Sequence, residues 1–389
     1  MYDPWCMTPW YTAALTRSLL DVGLDIRLVC PRYHLEPDFF QKQGLVTRPG
    51  PFDLSAQMGL VPTKARQCFR LAEFMANTAS LIADVRSAPP DILHVQQCVL
   101  LNHGSELELK FLRWCKRQGI RILHTVHNLL PHEQKSFHDE LYRKLYQLPD
   151  ALIYHSAETG YALQEMYGVK EQRAHLVPHG PLFVADFNMS QAECRQHLGL
   201  TSDRLVFLAQ GVISPYKGMD MLLEAWAKAI HWMGEKRAQL LIAGSGKAAE
   251  LQSLRELTAR QHLESTVRLD LRYIPAHEVP LYYRAADFLV YPYRAITTSG
   301  ALLTGLNYRK PIIASNLLPF GPYLTSGRNA LLFDPGDLDT LAIAIAAIAV
   351  DENLRRHLED ESLKNLRLQT QWPEIADRTA EVYRSMVSS

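Results

Sequence analysis

Short runs of β-branched and aliphatic residues alternate with amphipathic helical stretches along nearly the whole chain, and few folds accept that alternation. Strands with no polar face must be covered on both sides, which means parallel sheets crossed by helices. In the first half the pattern predicts strands at Ile26–Cys30, Ile92–Gln96, Ile120–Val126, Ala151–His155 and His175–Pro178. The intervening helices are expected at Thr8–Val22, Thr63–Ser87, Ser105–Arg117 and Ala157–Tyr167. In the second half the strands are Leu205–Gln210, Gln239–Ala243, Val267–Leu271, Phe288–Tyr291, Pro311–Ala314 and Ala330–Phe333. Helices there fall at Met219–Ile230, Ala248–Gln261, Glu278–Ala285, Leu338–Val350 and Asn353–Leu366, and a last one runs Pro373–Val387. A chain of 389 residues is too long for one ordinary core, so two domains are expected, joined by the crossover Pro178–Asn188.

Composition narrows the function classes. Forty-seven per cent hydrophobic and 21% charged residues describe a soluble globular protein. Lysine plus arginine balances aspartate plus glutamate at 41 each, so no global field draws the protein to nucleic acid. The six cysteines show no CxxC pair and no zinc-like spacing, and a reducing cytoplasm is the expected location. No secretory leader is read, and the longest apolar run, Leu341–Val350, is too short to span a bilayer.

A doubly wound sheet normally opens with a central strand and a glycine turn. Here Met1 is followed at once by Tyr2, Asp3, Pro4, Trp5 and the first helix. The expectation is a late start or a shortened chain, with a first sheet that lacks its central strand and is poorly stable alone.

The stretch Tyr291–Ser315 reads as strand, polar turn, short helix and second strand. Its turn places Thr297, Thr298, Ser299 and Gly300 just before an apolar helix, where free backbone N–H groups and the helix dipole favour an anion. No acidic residue occurs between Phe288 and Phe333, whereas Arg294, Arg309, Lys310 and Arg328 do, which suits a phosphate-bearing ligand. The turn after Leu205–Gln210 carries Gly211, Lys217 and Gly218, a point charge on a backbone that a ligand can approach closely. Both turns follow strands of one presumed sheet, at the end where α/β ligands bind.

Three further features need weighing. Gly244, Gly246 and Ala249 match a relaxed dinucleotide fingerprint with Asp270 downstream, but on the second strand of the unit rather than the first; a tight turn bringing Lys247 to a phosphate is the competing reading. His124, His127, His132 and Glu133 end a buried strand of the first unit, where a histidine can hold a sugar hydroxyl or move a proton, or simply cap a loop. Lys110, Arg113, Lys116 and Arg117 form a basic helix face that suits an anionic membrane surface, and equally an ordinary solvated face.

Taken in order, GVISPYKGMDMLLEAW, LLIAGSGKAAEL, YRAADFLVYPYRAITTSGALL, RKPIIAS, NALLFDPGD and the late Trp372 resemble the family 4 glycosyltransferases of the GT-B fold. The resemblance spans nearly the whole chain and is strongest from Leu205 to Val387. It implies an α/β protein with two Rossmann-like doubly wound domains facing a central cleft, and a C-terminal helix crossing back to the first. The implied boundaries are 1–182 for the acceptor side, 183–366 for the donor domain and 367–389 for the crossover helix. It also implies sugar transfer from a nucleotide-diphosphate donor with no metal and no cofactor in the chemistry. Residue by residue, Lys217 corresponds to the lysine on the donor diphosphate, with Gly218, Thr298, Ser299 and Gly300 forming the phosphate cradle. Gly211, Gly244 and Gly246 correspond to the nucleotide pocket, and His127, with Thr297, to the sugar contacts.

The family's two glutamates, with seven residues between them, fall here on Ile296 and Thr304, and the basic residue usual just upstream of the lysine turn is replaced by Val212, Ile213 and Ser214. The pattern resembles a bacterial polysaccharide-type subgroup without the acid pair. The expected activity is hexose transfer from a UDP- or GDP-sugar to a glycan or lipid-linked glycan, in the cytoplasm or at the inner face of the membrane. Lys217 would stabilise the leaving diphosphate, and an inverting reaction would use His127 or Glu133 as base. The alternatives are an inactive GT-B partner subunit, suggested by Ile296 and Thr304, and an NAD-dependent oxidoreductase built on the Gly244 turn.

Overall fold

The computed structural model describes residues 1–48, 50, 52–54, 63–131, 134–183, 188–296, 299–364 and 371–388. It divides into two units, Met1–Gly180 with Thr370–Ser389, and Pro181–Gln369. Each is built on its own parallel sheet flanked by helices.

The first unit has four parallel strands, β1 (Ile92–Val95), β2 (Arg121–Val126), β3 (Ala151–Tyr154) and β4 (Ala174–Leu176), in that spatial order. Beyond β1 the sheet continues in a way the pattern did not predict. Tyr2 bridges Val95 on one side and Val29 on the other. Its N–H donates to His94 at 2.8 Å, its carbonyl accepts from Gln96 at 3.0 Å, and Asp3 N–H reaches Val29 at 3.0 Å. Residues 1–3 therefore stand in the central-strand position, which corrects the expectation of a sheet with that position empty. The expected strand Ile26–Cys30 shrinks to bridges at Leu28 and Val29, because so short a partner supports no longer ladder. Cys6, at φ 52°, makes the turn that a glycine would ordinarily make, and the buried Asp3 carboxylate accepts from Met7 N–H and the Thr12 hydroxyl.

The last helix, Trp372–Ser388, packs on the first, Pro9–Asp21, within this unit. Tyr383 Oη lies 2.7 Å from His94 Nδ1, and a Cβ on Gly180 would fall 2.6 Å from the Trp372 ring. The C-terminal helix thus belongs to the sheet that opens the chain.

In the second unit six strands are all parallel: β5 (Leu205–Gln210), β6 (Ala238–Ala243), β7 (Val267–Asp270), β8 (Phe288–Tyr291), β9 (Ile312–Ser315) and β10 (Ala330–Phe333). Their order is β10-β9-β8-β5-β6-β7, so the winding reverses between β5 and β8. That reversal opens a crevice at the carboxyl ends of the strands, the usual ligand position of a doubly wound sheet. Alternate residues of one strand enter opposite cores. Phe207 and Ala209 join Trp226 and the helices Met219–Met233 and Leu338–Val350 on one face, while Val206 and Leu208 join Tyr282, Tyr291 and Leu302 on the other.

Among the described residues three α-helices escaped the sequence reading, the shortest being Phe39–Lys42. Gln191–His197 opens on a capping box in which Ser190 and Glu193 satisfy each other's backbone N–H groups, a signal legible in SQAE. His138–Gln147 buries Leu141, Tyr142, Leu145 and Tyr146 at helical spacing.

Candidate functional site

Three turns leave the carboxyl ends of β5, β6 and β8, and glycines bring them into direct backbone contact. A Cβ on Gly244 would sit 1.8 Å from the Gly211 carbonyl oxygen, one on Gly246 2.4 Å from that of Ile213, and one on Gly218 1.9 Å from that of Pro292. Gly211, Gly218 and Gly244 also hold φ of 139°, 65° and 150°, which side chains resist. These glycines act first as the seam that draws the turns together.

On this floor stands Lys217, at the end of the short 3-10 turn Pro215–Lys217. Its side chain is buried, with 6% of the residue exposed. Nζ donates to Tyr293 Oη at 2.6 Å and lies 4.0 Å from the centre of that ring. A Cβ on Gly211 would be 3.8 Å away. Among the described residues no carboxylate pairs with this ammonium. Burial lowers its pKa to about 8, and the neighbouring Tyr216 opposes the shift.

Ser299 completes the convergence from the β8 side. Its hydroxyl accepts from Leu302 N–H at 3.1 Å, capping the helix Gly300–Asn307, and stands 3.5 Å from the same Tyr293 oxygen. Lys217, Ser299, Gly300, Gly211, Gly218, Gly244 and Gly246 all belong to the second unit. Thr297 and Thr298 lie outside the described residues. Tyr293, the residue that joins the lysine turn to the serine turn, escaped the sequence reading because a buried tyrosine after a strand looks like core.

The basic residues of the acid-free window do not form a phosphate field. Arg294 is clasped by Asp220, Arg328 pairs with Glu361, and Arg309 and Lys310 precede β9 at the amino edge of the sheet. Their acids come from outside the window, where a local composition count cannot see them. Asp270, the acid of the dinucleotide reading, already accepts from Arg272 and Tyr282.

In the first unit His127 follows β2. Its Nε2 lies 3.0 Å from Gln96 Oε1, and the Gln96 amide nitrogen is turned toward Met1 Sδ. The carbonyl oxygen of Gln96 therefore accepts, which leaves Nδ1 of His127 as the basic nitrogen. The ring meets Tyr11 edge-on at 4.7 Å and His155 at 5.4 Å. Burial, and then the neighbouring imidazoles of His155, His179, His124 and His94, hold it neutral far below the usual histidine range. Glu133 and His132 lie outside the described residues.

Comparison with known proteins decides the family. A profile described as Glycosyltransferase Family 4 matches residues 9–180, and one described as Glycosyl transferases group 1 matches residues 202–351, together most of the chain. The chain belongs to the family 4-like GT-B glycosyltransferases. Among curated relatives, it is 24% identical over 394 residues to the D-inositol 3-phosphate glycosyltransferase of Thermobispora bispora, covering 96% of this chain and 88% of that protein. It is 23% identical to the one from Kribbella flavida, across 69% of this chain and 66% of the relative. Among solved structures, Anabaena Alr3699/HepE in complex with UDP and glucose superposes with a TM-score of 0.74 at 14% identity, over 99% of this chain and 98% of that one. Sucrose-phosphate synthase from Thermosynechococcus elongatus gives 0.72 at 19% identity, over 96% and 92%.

Within this glycosyltransferase fold, the two positions that lack the family's acids have other tasks. Thr304 is fully buried, donating to the Gly300 carbonyl at 2.7 Å and accepting from Leu182 N–H at 3.2 Å. Ile296 packs against the Tyr291 core. The basic face of the helix Leu107–Arg117 is half neutralised in this family member, Arg113 pairing with Glu106 and Lys116 with Asp150. No described helix is long and apolar enough to cross a membrane. No described group of three or more His, Cys, Asp or Glu is arranged to hold a metal.

Proposed function

We propose that this glycosyltransferase moves a hexose from a UDP- or GDP-sugar to a glycan or lipid-linked glycan acceptor. The observation that carries the reading is the buried ammonium of Lys217, which pairs with no carboxylate among the described residues and stands beside the Ser299 helix start at the carboxyl ends of β5 and β8. Such a charge is costly unless an anion arrives to meet it. One neighbour in fold, Anabaena Alr3699/HepE, is solved with UDP, with UDP and glucose, and with UDP-glucose, which supports a uridine nucleotide as the first donor to try. The curated relatives are named for D-inositol 3-phosphate, which adds a phosphorylated cyclitol to the acceptors worth testing.

In the transfer, the bond between the anomeric carbon and the β-phosphate oxygen breaks, and its electron pair stays on the diphosphate. The acceptor hydroxyl oxygen bonds to that carbon and gives up its proton, to the leaving phosphate in a retaining reaction or to a base such as His127 in an inverting one. Lys217 and the helix-start amides stabilise the charge building on the diphosphate, and removing one such contact costs about 3 kcal/mol in the barrier. No metal and no cofactor is assigned a part.

A thermal-shift panel with UDP, GDP, ADP and NAD on wild type and Lys217→Ala tests the reading. Stabilisation by one nucleoside diphosphate that vanishes in the variant is the expected result. A shift with NAD alone, or with none of the four, would sink it in favour of an oxidoreductase or an inactive partner subunit.

A further inference from the structure

The contact between Lys217 and Tyr293 carries an inference that rests on the donor-site reading above. Tyr293 is 1% exposed, yet its oxygen is approached from two different turns, by Lys217 Nζ at 2.6 Å and by Ser299 Oγ at 3.5 Å. An ammonium only donates, so the phenol accepts from Lys217 through one of its two lone pairs. The lysine also lies over the ring, where the π-face offers further compensation. Among the described residues the groups facing it are Tyr216 from its own turn and Tyr293 from the β8 turn, with Tyr291 and then Tyr283 next to Tyr293, while Asp220 on the following helix is engaged by Arg294.

The chemistry of this partner matters. A carboxylate at the same place would hold the ammonium charge to charge and compete with an incoming phosphate. A neutral phenol holds it less strongly and can release it. We propose that Tyr293 is a positioning residue of the diphosphate site, keeping the Lys217 ammonium charged and aimed while the site is empty and yielding it to the β-phosphate when donor binds. The link through Ser299 ties that handover to the start of the helix Gly300–Asn307.

The test follows the Lys217 Nζ resonance in lysine-¹⁵N-labelled full-length protein, assigned with Lys217→Arg, through a pH titration without ligand. Tyr293→Phe keeps the ring and removes only the acceptor. The expected result is discharge of Lys217 at a pH at least about one unit lower, the alkaline limb of kcat/KM for UDP-glucose moving with it, and kcat/KM at neutral pH falling about tenfold. An unmoved titration in a folded variant overturns the proposal. Should Tyr293→Phe fail to fold, the ¹³Cζ signal of Tyr293 in wild-type protein serves instead. Saturating UDP should shift it, and a signal that stays put while UDP binds overturns the proposal. Absence of nucleotide binding and turnover in the wild type would strike the donor-site reading, while the ligand-free titration still judges the tyrosine.

Discussion

Arg294 grips both carboxylate oxygens of Asp220 at 2.8 Å and extends the same guanidinium to the Pro215 carbonyl at 2.7 Å, while its backbone N–H holds Tyr216. The pair fastens the β8 turn to the turn that carries Lys217. Both side chains are substantially exposed, at 40% and 50%, so the ion pair itself contributes only about 1 kcal/mol or less to stability. Arg294→Ala should therefore lower Tm little but weaken UDP binding roughly tenfold, because the lysine loses its fixed position. Calorimetric titration beside a melting curve checks this, and unchanged affinity would show that the turn holds itself.

Lys217 sets function against stability. Burial lowers its pKa from 10.5 to about 8. Below pH 8 the lysine is charged in both folded and unfolded states and the burial cost is fully present. Between the two values the folded chain binds fewer protons than the unfolded one, so stability rises with pH across that window. At neutral pH Lys217→Met should melt higher than wild type, by up to roughly 3 kcal/mol in stability. The same variant should lose transfer at least about a hundredfold. In wild type, kcat/KM should decline above about pH 8 as the ammonium discharges. A destabilised Lys217→Met would mean that the lysine is held for structure.

The first unit should be sensitive to acid. His124 and His155 are lowered to about 4 and His179 to about 3, chiefly by burial, and His94 and His127 also fall well below 6.5. Their contribution is complete above the unfolded value near 6.5 and drains away as pH falls toward 4, because unfolding takes up protons throughout that interval. Each buried imidazole adds about 1.4 kcal/mol per pH unit to the slope. Melting curves from pH 7 to 4.5 should fall steeply, and His155→Gln should flatten the slope by one proton. A slope unchanged in that variant would remove His155 from the set.

The glycine seam predicts a graded series. Gly244→Ala and Gly218→Ala place a methyl inside 2 Å of a carbonyl oxygen as well as straining φ. Gly234, at φ 83°, would meet nothing within 4 Å and so reports the backbone strain alone. Gly234→Ala should cost about 1 kcal/mol, and the two seam variants several times more. Equal losses would mean that the turns shift apart freely.

Much of this was legible beforehand, for reasons that particular residues make plain. The strands Leu205–Gln210, Phe288–Tyr291 and Ala330–Phe333 carry the same bounds in pattern and in structure, since each is a short apolar run closed by a turn. Ser299 and Lys217 were visible as a helix cap and a lysine between strand and helix. What stayed hidden was partnership across long sequence separations. Asp220 and Arg294, Glu361 and Arg328, and Lys217 and Tyr293 meet only after folding, and no spacing rule links them. The place of Tyr2 between Val29 and Val95 escaped for a related reason, because three residues have no periodicity to read.

The acid-free window, with its four basic residues, suits a phosphate-bearing ligand when read from the sequence. With Arg294 and Arg328 committed to carboxylates, the sheltered charge left beside the helix start among the described residues is that of Lys217. Mobile ions screen exposed charges over roughly 8 Å at physiological salt and reach buried ones much less. A donor would therefore be recognised at contact rather than drawn from a distance. Such a site would work as a latch, less sensitive to ionic strength than an open basic surface, and not as a magnet.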